Sequence, residues 1–189
     1  TYLIARDISD NKRAEEIISF HANYDALTSL PNRVLLKEKL DAELQHAKKY
    51  QVGLTILFID LDRFKLINES LGHAKGDFLL KQVAARLKEI ARYSDTVARL
   101  GSDEFVLAMP GLSDPKRVQD IATRCAESLA APFEIAADKE SLSITASIGI
   151  AMYPEDGTTV EELIGNADIA MSHVKTQGKN GILFYNQTM

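Results

Sequence analysis

The run Val52 to Ile59 (VGLTILFI) stops abruptly at Asp60-Leu61-Asp62, and no other stretch limits the fold so tightly. It is short, unbroken by charge and rich in β-branched and aromatic side chains, which describes a strand covered on both faces. The residues that follow supply the cover. From Asp77 the apolar residues Phe78, Leu80, Val83, Ala84, Leu87 and Ile90 make a helical stripe. Thr96 to Leu100 and Glu104 to Met109 are short strands flanking Gly101-Ser102, and a two-residue loop that begins with Gly predicts a type II′ hairpin. A helix is expected over Pro115 to Ala131 and another over Thr159 to Thr176, with a short closing strand at Ile182 to Tyr185. Between those helices Leu142, Ile144, Ala146, Ile148 and Ile150 alternate, predicting one strand from Ser141 to Tyr153.

Strand, helix, strand, strand, helix, strand is the ferredoxin-like βαββαβ pattern, an α/β fold of the α+β kind around a central, mostly antiparallel sheet. Its third strand lies between the first and second, antiparallel to both. Asp60 and Asp62 are therefore expected beside Asp103 and Glu104, about 40 residues further on. Ahead of this core, Tyr2 to Arg6 reads as the end of a strand. Asp7 to Tyr24 reads as a linker helix, with Ile8, Ala14, Ile17, Ile18 and Ala22 at helical spacing and Asp10 as its candidate cap. Asp25 to Arg33 (DALTSLPNR) is turn-rich and broken by Pro31, and Val34 to Tyr50 reads as an amphipathic helix. A boundary near Asp25 divides segment 1–24 from a main domain over 25–189.

The 189 residues, 46% hydrophobic and 26% charged, suffice for one substantial core and an appendage. A net charge of −5 and a pI near 5.4 argue against a nucleic-acid partner. Cys125 is the only cysteine, so neither a disulfide framework nor a cysteine metal site is expected. No apolar run approaches the roughly 20 residues of a membrane span, and the N-terminus lacks a signal-peptide pattern, which makes the cytoplasm the expected compartment. The chain begins at Thr1 without Met and ends soon after Tyr185, so it reads as a fragment in which an anchor of the parent protein would not be visible.

Carboxylates gathered at one sheet edge repel, and each has a raised pKa unless a cation shares the site. A solvated acidic turn and a divalent-cation site are the two readings of such a cluster. All-oxygen ligation, with the Leu61 carbonyl available, suits Mg²⁺, which keeps waters and binds substrate phosphates.

Five blocks then carry a family resemblance. They are Asp25-Ala26-Leu27-Thr28 with Leu30-Pro31-Asn32-Arg33, Phe58 to Asn68 (FIDLDRFKLIN), Gly72 to Asp77 (GHAKGD), Arg99 to Phe105 (RLGSDEF), and Ala167 to Met171 (ADIAM) with Lys175 and Gly178-Lys179-Asn180. In order and spacing they resemble the GGDEF domain family of diguanylate cyclases, nucleotidyl-cyclase-like modules that condense two GTP into cyclic di-GMP with loss of pyrophosphate. The resemblance implies two Mg²⁺ per active site, with Mn²⁺ an alternative, held by Asp60, the Leu61 carbonyl and Asp103, with Asp103 and Glu104 as catalytic carboxylates. It implies guanine reading by Asn68 and Asp77. It implies phosphate contacts from Lys175, Lys179 and the backbone at Arg63 and Phe64, with Gly101 and Ser102 against the nucleotide. Taken alone, Lys175 and Lys179 are ordinary helix-end lysines.

One domain holds one GTP, so the resemblance implies a homodimer as the catalytic unit. Arg92-Tyr93-Ser94-Asp95 matches the family's RxxD site for inhibitory cyclic di-GMP; by itself it reads as an exposed helix-end pair. Residues 1–24 resemble the end of a PAS sensor domain with its connecting helix, and Phe184 to Met189 resembles a junction to an EAL phosphodiesterase domain. In tandem proteins of that kind a GGDEF half can be regulatory, holding GTP or cyclic di-GMP without turnover. The chain departs from the family at Ser102, where the second glycine stands. If that position needs φ > 0 or close approach of backbone to nucleotide, serine costs about 1 kcal/mol and adds bulk where phosphate or ribose should sit. A type II′ turn, however, demands glycine only at its first central position, which Gly101 supplies. Ser172, Lys179 and Glu69 are milder departures.

Overall fold

The computed structural model describes residues 2–135 and 140–189; Thr1 lies outside them. Helix α1 (Tyr2–Asn23) leads into a turn and α2 (Arg33–Tyr50), followed by β1 (Leu54–Leu61), α3 (Phe64–Leu71) and α4 (His73–Ile90). Then come β2 (Thr96–Arg99), β3 (Glu104–Pro110), α5 (Pro115–Ala130), the small strands β4 (Phe133–Ile135) and β5 (Glu140–Leu142), β6 (Ala146–Tyr153), α6 (Val160–Thr176) and β7 (Gly181–Phe184). The main sheet runs β2-β3-β1-β6-β7, antiparallel except for the parallel β6–β7 pair. This is the expected α+β core with β3 between β1 and β2, extended by the closing strand at the far edge.

Every residue of β1 is buried because the sheet has helices on both faces. Leu57, Ile59 and Leu61 point with Phe105, Leu107 and Ile148 into the core shared with α4 and α5. Leu54, Ile56 and Phe58 point with Val106 and Ala151 into the core shared with α2 and α6. The alternation continues to Asp60, which therefore emerges on the α6 side of the sheet.

Four expectations need correction. Tyr2 to Arg6 is helical, not a strand end: a lone strand there would leave its backbone groups without a ladder, whereas a helix satisfies them internally. Asp10 consequently sits inside α1 instead of capping it. The alternation from Ser141 to Tyr153 is split into β5 and β6, since β5 pairs with β4 and only β6 joins the main sheet. The connection from β2 to β3 is not a type II′ turn: neither Gly101 nor Ser102 has a positive φ. Leu100 N–H donates to the Glu104 carbonyl at 2.9 Å instead, closing a three-residue loop, Gly101-Ser102-Asp103.

Helix α3 was not anticipated, although Phe64 and Ile67 stand three apart as its inward residues. Its N-cap, Arg63, is left-handed (φ 57°) and supplies no side-chain cap, so the first amides of α3 have no capping side chain. At the other end of the molecule α6 opens on a capping box between Thr159 and Glu162.

Candidate active site

The register of the central strands sets Asp60 directly opposite Glu104, and Leu61 N–H donates to the Asp103 carbonyl at 3.0 Å. Three of the four residues expected there, Asp60, Asp103 and Glu104, are thus neighbours at one end of the central strands. Asp60 is only 4% exposed. Because it emerges on the α6 side, Lys175 in the last turn of that helix reaches it, with Nζ 2.7 Å from Oδ1. The pair is close but poorly directed: Asp60 Oδ1 is buried without a well-aligned hydrogen bond. Burial pushes the Asp60 carboxyl up to about 6; Lys175 opposes the rise, and the charges of Asp103 and Glu104 add to it.

Asp62 does not join this cluster. Its Oδ1 accepts from Ser147 Oγ at 2.7 Å, and its Oδ2 accepts from Thr145 Oγ1 at 2.6 Å and Asn180 N–H at 2.9 Å. The turn away from β3 begins in the backbone, where Asp62 N–H donates to the Thr145 carbonyl at 2.8 Å. Among the described residues no three His, Cys, Asp or Glu side chains stand together as a metal cage.

Gly101 lies against the Glu104 side chain: a Cβ there would come 2.6 Å from Glu104 Oε2, which would have to swing aside. Ser102 is exposed and its hydroxyl donates to Asp103 Oδ1 at 3.1 Å, so the strain contemplated for serine does not arise. The hairpin is braced from behind by Arg99. Its guanidinium donates to both Asp25 oxygens at 3.0 Å and to the Ser102 carbonyl at 2.9 Å, joining the turn after α1 to the loop of the site. Burial works against ionisation of Asp25, but Thr28 and Arg99 outweigh it and hold the carboxyl below its ordinary value. Both partners belong to the blocks that carry the family resemblance, but nothing in the sequence pairs them.

Arg63 and Lys179 line a cavity of about 430 Å³ with Asp62, Thr145, Gly178 and Asn180. Phe64 is buried at the start of α3 and orients that uncapped helix end beside the cavity. Asn68, on α3, is half-buried with its Oδ1 unpartnered. Gly76 lets α4 approach it, for a Cβ there would sit 1.8 Å from that oxygen; the neighbouring Asp77 is exposed on the same turn of α4. The two expected guanine readers are therefore carried by helices in contact.

Arg92 and Asp95 lie beyond the end of α4, in the turn to β2, and not on a helix. The Arg92 guanidinium donates to Asp95 at 2.8 Å and to the Pro110 carbonyl at 3.2 Å, at a separate cavity of about 320 Å³ that Lys39, Lys88 and Tyr93 also line. Asp95, 2% exposed in its side chain, anchors the arginine.

Among the described residues no helix is long and apolar enough to cross a membrane. A family model described as "Diguanylate cyclase, GGDEF domain" matches residues 22–181. The chain is 44% identical over 168 residues to the bifunctional diguanylate cyclase/cyclic di-GMP phosphodiesterase MucR of Pseudomonas aeruginosa, covering 89% of this chain and 24% of that protein. It is 41% identical over 162 residues to the diguanylate cyclase TpbB of Pseudomonas aeruginosa, covering 86% of this chain and 37% of that one. The crystal structure of the TpbB GGDEF domain matches 84% of this chain and 98% of its own, with a TM-score of 0.81 and 40% identity. The chain thus spans between a quarter and two fifths of the length of these relatives. A match over most of the chain, on a fold that brings Asp60 to Glu104, makes this chain a member of the GGDEF family.

Proposed function

We propose that this domain is a diguanylate cyclase, joining two GTP molecules into cyclic di-GMP with release of two pyrophosphates. The observation that carries the reading is Asp60: a buried carboxylate whose Oδ1 lacks a directed partner, opposite Glu104, with only the Lys175 ammonium beside it. Asp60, Asp103 and Glu104 set more negative charge here than the one Lys175 ammonium offsets, and the donor set fits a hard divalent ion. Asp60, the Leu61 carbonyl and Asp103 would hold Mg²⁺ or Mn²⁺, with remaining positions left to water and phosphate oxygens. When bound, such ions polarise the α-phosphate and lower the pKa of an attacking hydroxyl.

The chain's own residues would bind and orient. Lys175 is long enough to leave Asp60 for a polyphosphate, and Lys179 and the uncapped amides at Arg63 and Phe64 offer further anion contacts. Asn68 and Asp77 together present acceptor and donor groups for a guanine edge. Glu104, beside Gly101 and opposite Asp60, would be the carboxylate to take the proton of an attacking 3′-hydroxyl. Because each domain carries one such site, two domains must face each other, and catalysis rests largely on that positioning.

Mass-spectrometric detection of cyclic di-GMP after incubating concentrated protein with GTP and Mg²⁺ tests the reading, and absence of product across a range of protein concentrations would reject it. Feedback at Arg92 and Asp95 is part of the proposal: Arg92→Ala should relieve inhibition by added cyclic di-GMP, and an unshifted inhibition curve would remove that part. MucR, a relative four times as long and named as bifunctional, favours a second reading in which the domain binds nucleotide to regulate an adjoining phosphodiesterase domain. Nucleotide binding without product would support it.

A further inference from the structure

The second acidic residue of the Asp60-Leu61-Asp62 segment has no part in the carboxylate edge, yet it is 6% exposed and every one of its acceptor contacts is to a neutral donor. What those donors belong to gives it a purpose. Thr145 and Ser147 are the entry of β6, a fixed wall of the main sheet, and Ser147 is fully buried. Asn180 belongs to the loop from α6 to β7, which bends through three consecutive positive φ values: 120° at Gly178, 68° at Lys179 and 49° at Asn180. Left-handed conformation in two successive non-glycine residues persists only where surroundings hold it. Two contacts hold this one. Lys179 N–H donates to the Val174 carbonyl at 3.0 Å, and Asn180 N–H donates to Asp62 Oδ2 at 2.9 Å. Lys179 lies between them and lines the 430 Å³ cavity together with Asp62, Arg63 and Thr145.

We propose that Asp62 is a positioning residue for nucleotide binding: with Thr145 and Ser147 it forms a buried clamp on Asn180 that holds the strained loop and presents Lys179 to the triphosphate. The inference rests on reading this site as one for GTP. It assigns Asp62 no contact with nucleotide or ion. Carboxylate suits the task because its two oxygens accept all three bonds at once without needing a proton in return.

The test uses 3′-deoxy-GTP, which lacks the attacking hydroxyl and so reports binding without turnover. Calorimetric affinities are compared for the unaltered protein, Asp62→Ala, Lys179→Ala and the double variant. Loss of a charge-assisted anchor on Asn180 should weaken binding roughly tenfold in Asp62→Ala. If Asp62 acts through Lys179, the double variant binds no more weakly than Lys179→Ala alone, whereas a merely structural role gives losses that multiply. Asp62→Asn keeps one oxygen for Asn180 and should retain affinity within about threefold. Thr145→Val serves if Asp62→Ala does not fold, with a smaller loss that again vanishes on the Lys179→Ala background. Unaltered affinity in both Asp62→Ala and Thr145→Val, or multiplied losses, overturns the proposal. Failure of the cyclase reading looks different: the protein binds 3′-deoxy-GTP with this dependence on Asp62 but forms no cyclic di-GMP from GTP.

Discussion

Asp60 and Asp62 stand two residues apart, are buried to nearly the same degree, at 4% and 6% exposed, and have opposite surroundings. Asp62 is matched by three donors, two of them hydroxyls that reorient freely to suit it. Asp60 faces other acids and one lysine, and its Oδ1 has no directed hydrogen bond. A fold can bury charge in either manner, but only at Asp60 does the surrounding negative charge exceed what its one lysine offsets, and that excess is what the proposed cation would meet. The difference separates an atom available for chemistry from one that holds a loop in place.

The largest effect that can break this contrast is on turnover. Asp60→Ala and Asp103→Ala should each lower cyclic di-GMP formation by at least roughly a hundredfold, the scale of losing one electrostatic stabiliser of a phosphoryl transition state. Circular dichroism should remain unchanged, because the core clusters of the sheet do not depend on either side chain. Comparable turnover from either variant would place the chemistry elsewhere.

Stability against pH sharpens the contrast next. In metal-free protein the Asp60 carboxyl is raised from 3.8 to about 6, chiefly by burial. Between those values the folded state holds a proton that the unfolded chain has released, so stability falls as pH rises through that window and stays reduced above it. Asp60→Asn mimics the protonated form. It should stabilise metal-free protein at pH 8 by up to about 3 kcal/mol, each pKa unit being worth about 1.4 kcal/mol. The gain should shrink below pH 6 and disappear near pH 4. Urea unfolding at a series of pH values measures this, and a gain independent of pH would refute the burial account.

Thr145→Val probes the other member of the pair. It removes one donor from a buried carboxylate and should destabilise by about 1–2 kcal/mol, the usual cost of leaving a buried partner short. A shift in the urea midpoint with unchanged slope is the expected signature. No shift would mean that Asp62 is less dependent on its hydroxyls than its geometry implies.

The contrast between the two aspartates was only half legible in the sequence. The apolar run before Asp60 and the two short strands around Gly101-Ser102 were enough to predict β3 beside β1, and hence Asp60 beside Glu104, because a βαββαβ order leaves little choice of pairing. Simple alternation then put Asp62 on the same face and wrongly in the same cluster. β1 ends at Leu61, and from there the Asp62 backbone follows Thr145, whose own placement depends on the break between β5 and β6. That break was invisible because Leu142, Ile144 and Ala146 keep a strand's period across it, each burying its side chain in turn. Helix α3 escaped for a related reason: at eight residues it has room for little more than one repeat of a helical stripe. Lys175 was placed by family resemblance, while its contact with Asp60 follows from physical parity: even-numbered residues of β1 face α6.

Ser102→Gly is the smallest effect and tests the hairpin on Asp60's side of the contrast. Serine at this position is strained if the backbone must be left-handed and adds bulk if nucleotide must pass close by; its φ is not positive, so the first cost does not arise. Its side chain is exposed and its hydroxyl donates to Asp103 Oδ1 at 3.1 Å, a contact that orients that carboxylate. Removing it frees the unfolded chain and should cost about 0.4–1 kcal/mol in stability. Turnover should change by no more than about threefold, since a solvent-exposed hydrogen bond contributes little net free energy. A large rise in product from the glycine variant would show that the hydroxyl holds Asp103 away from its working position, and the hairpin, not the burial of Asp60, would then set the activity of this domain.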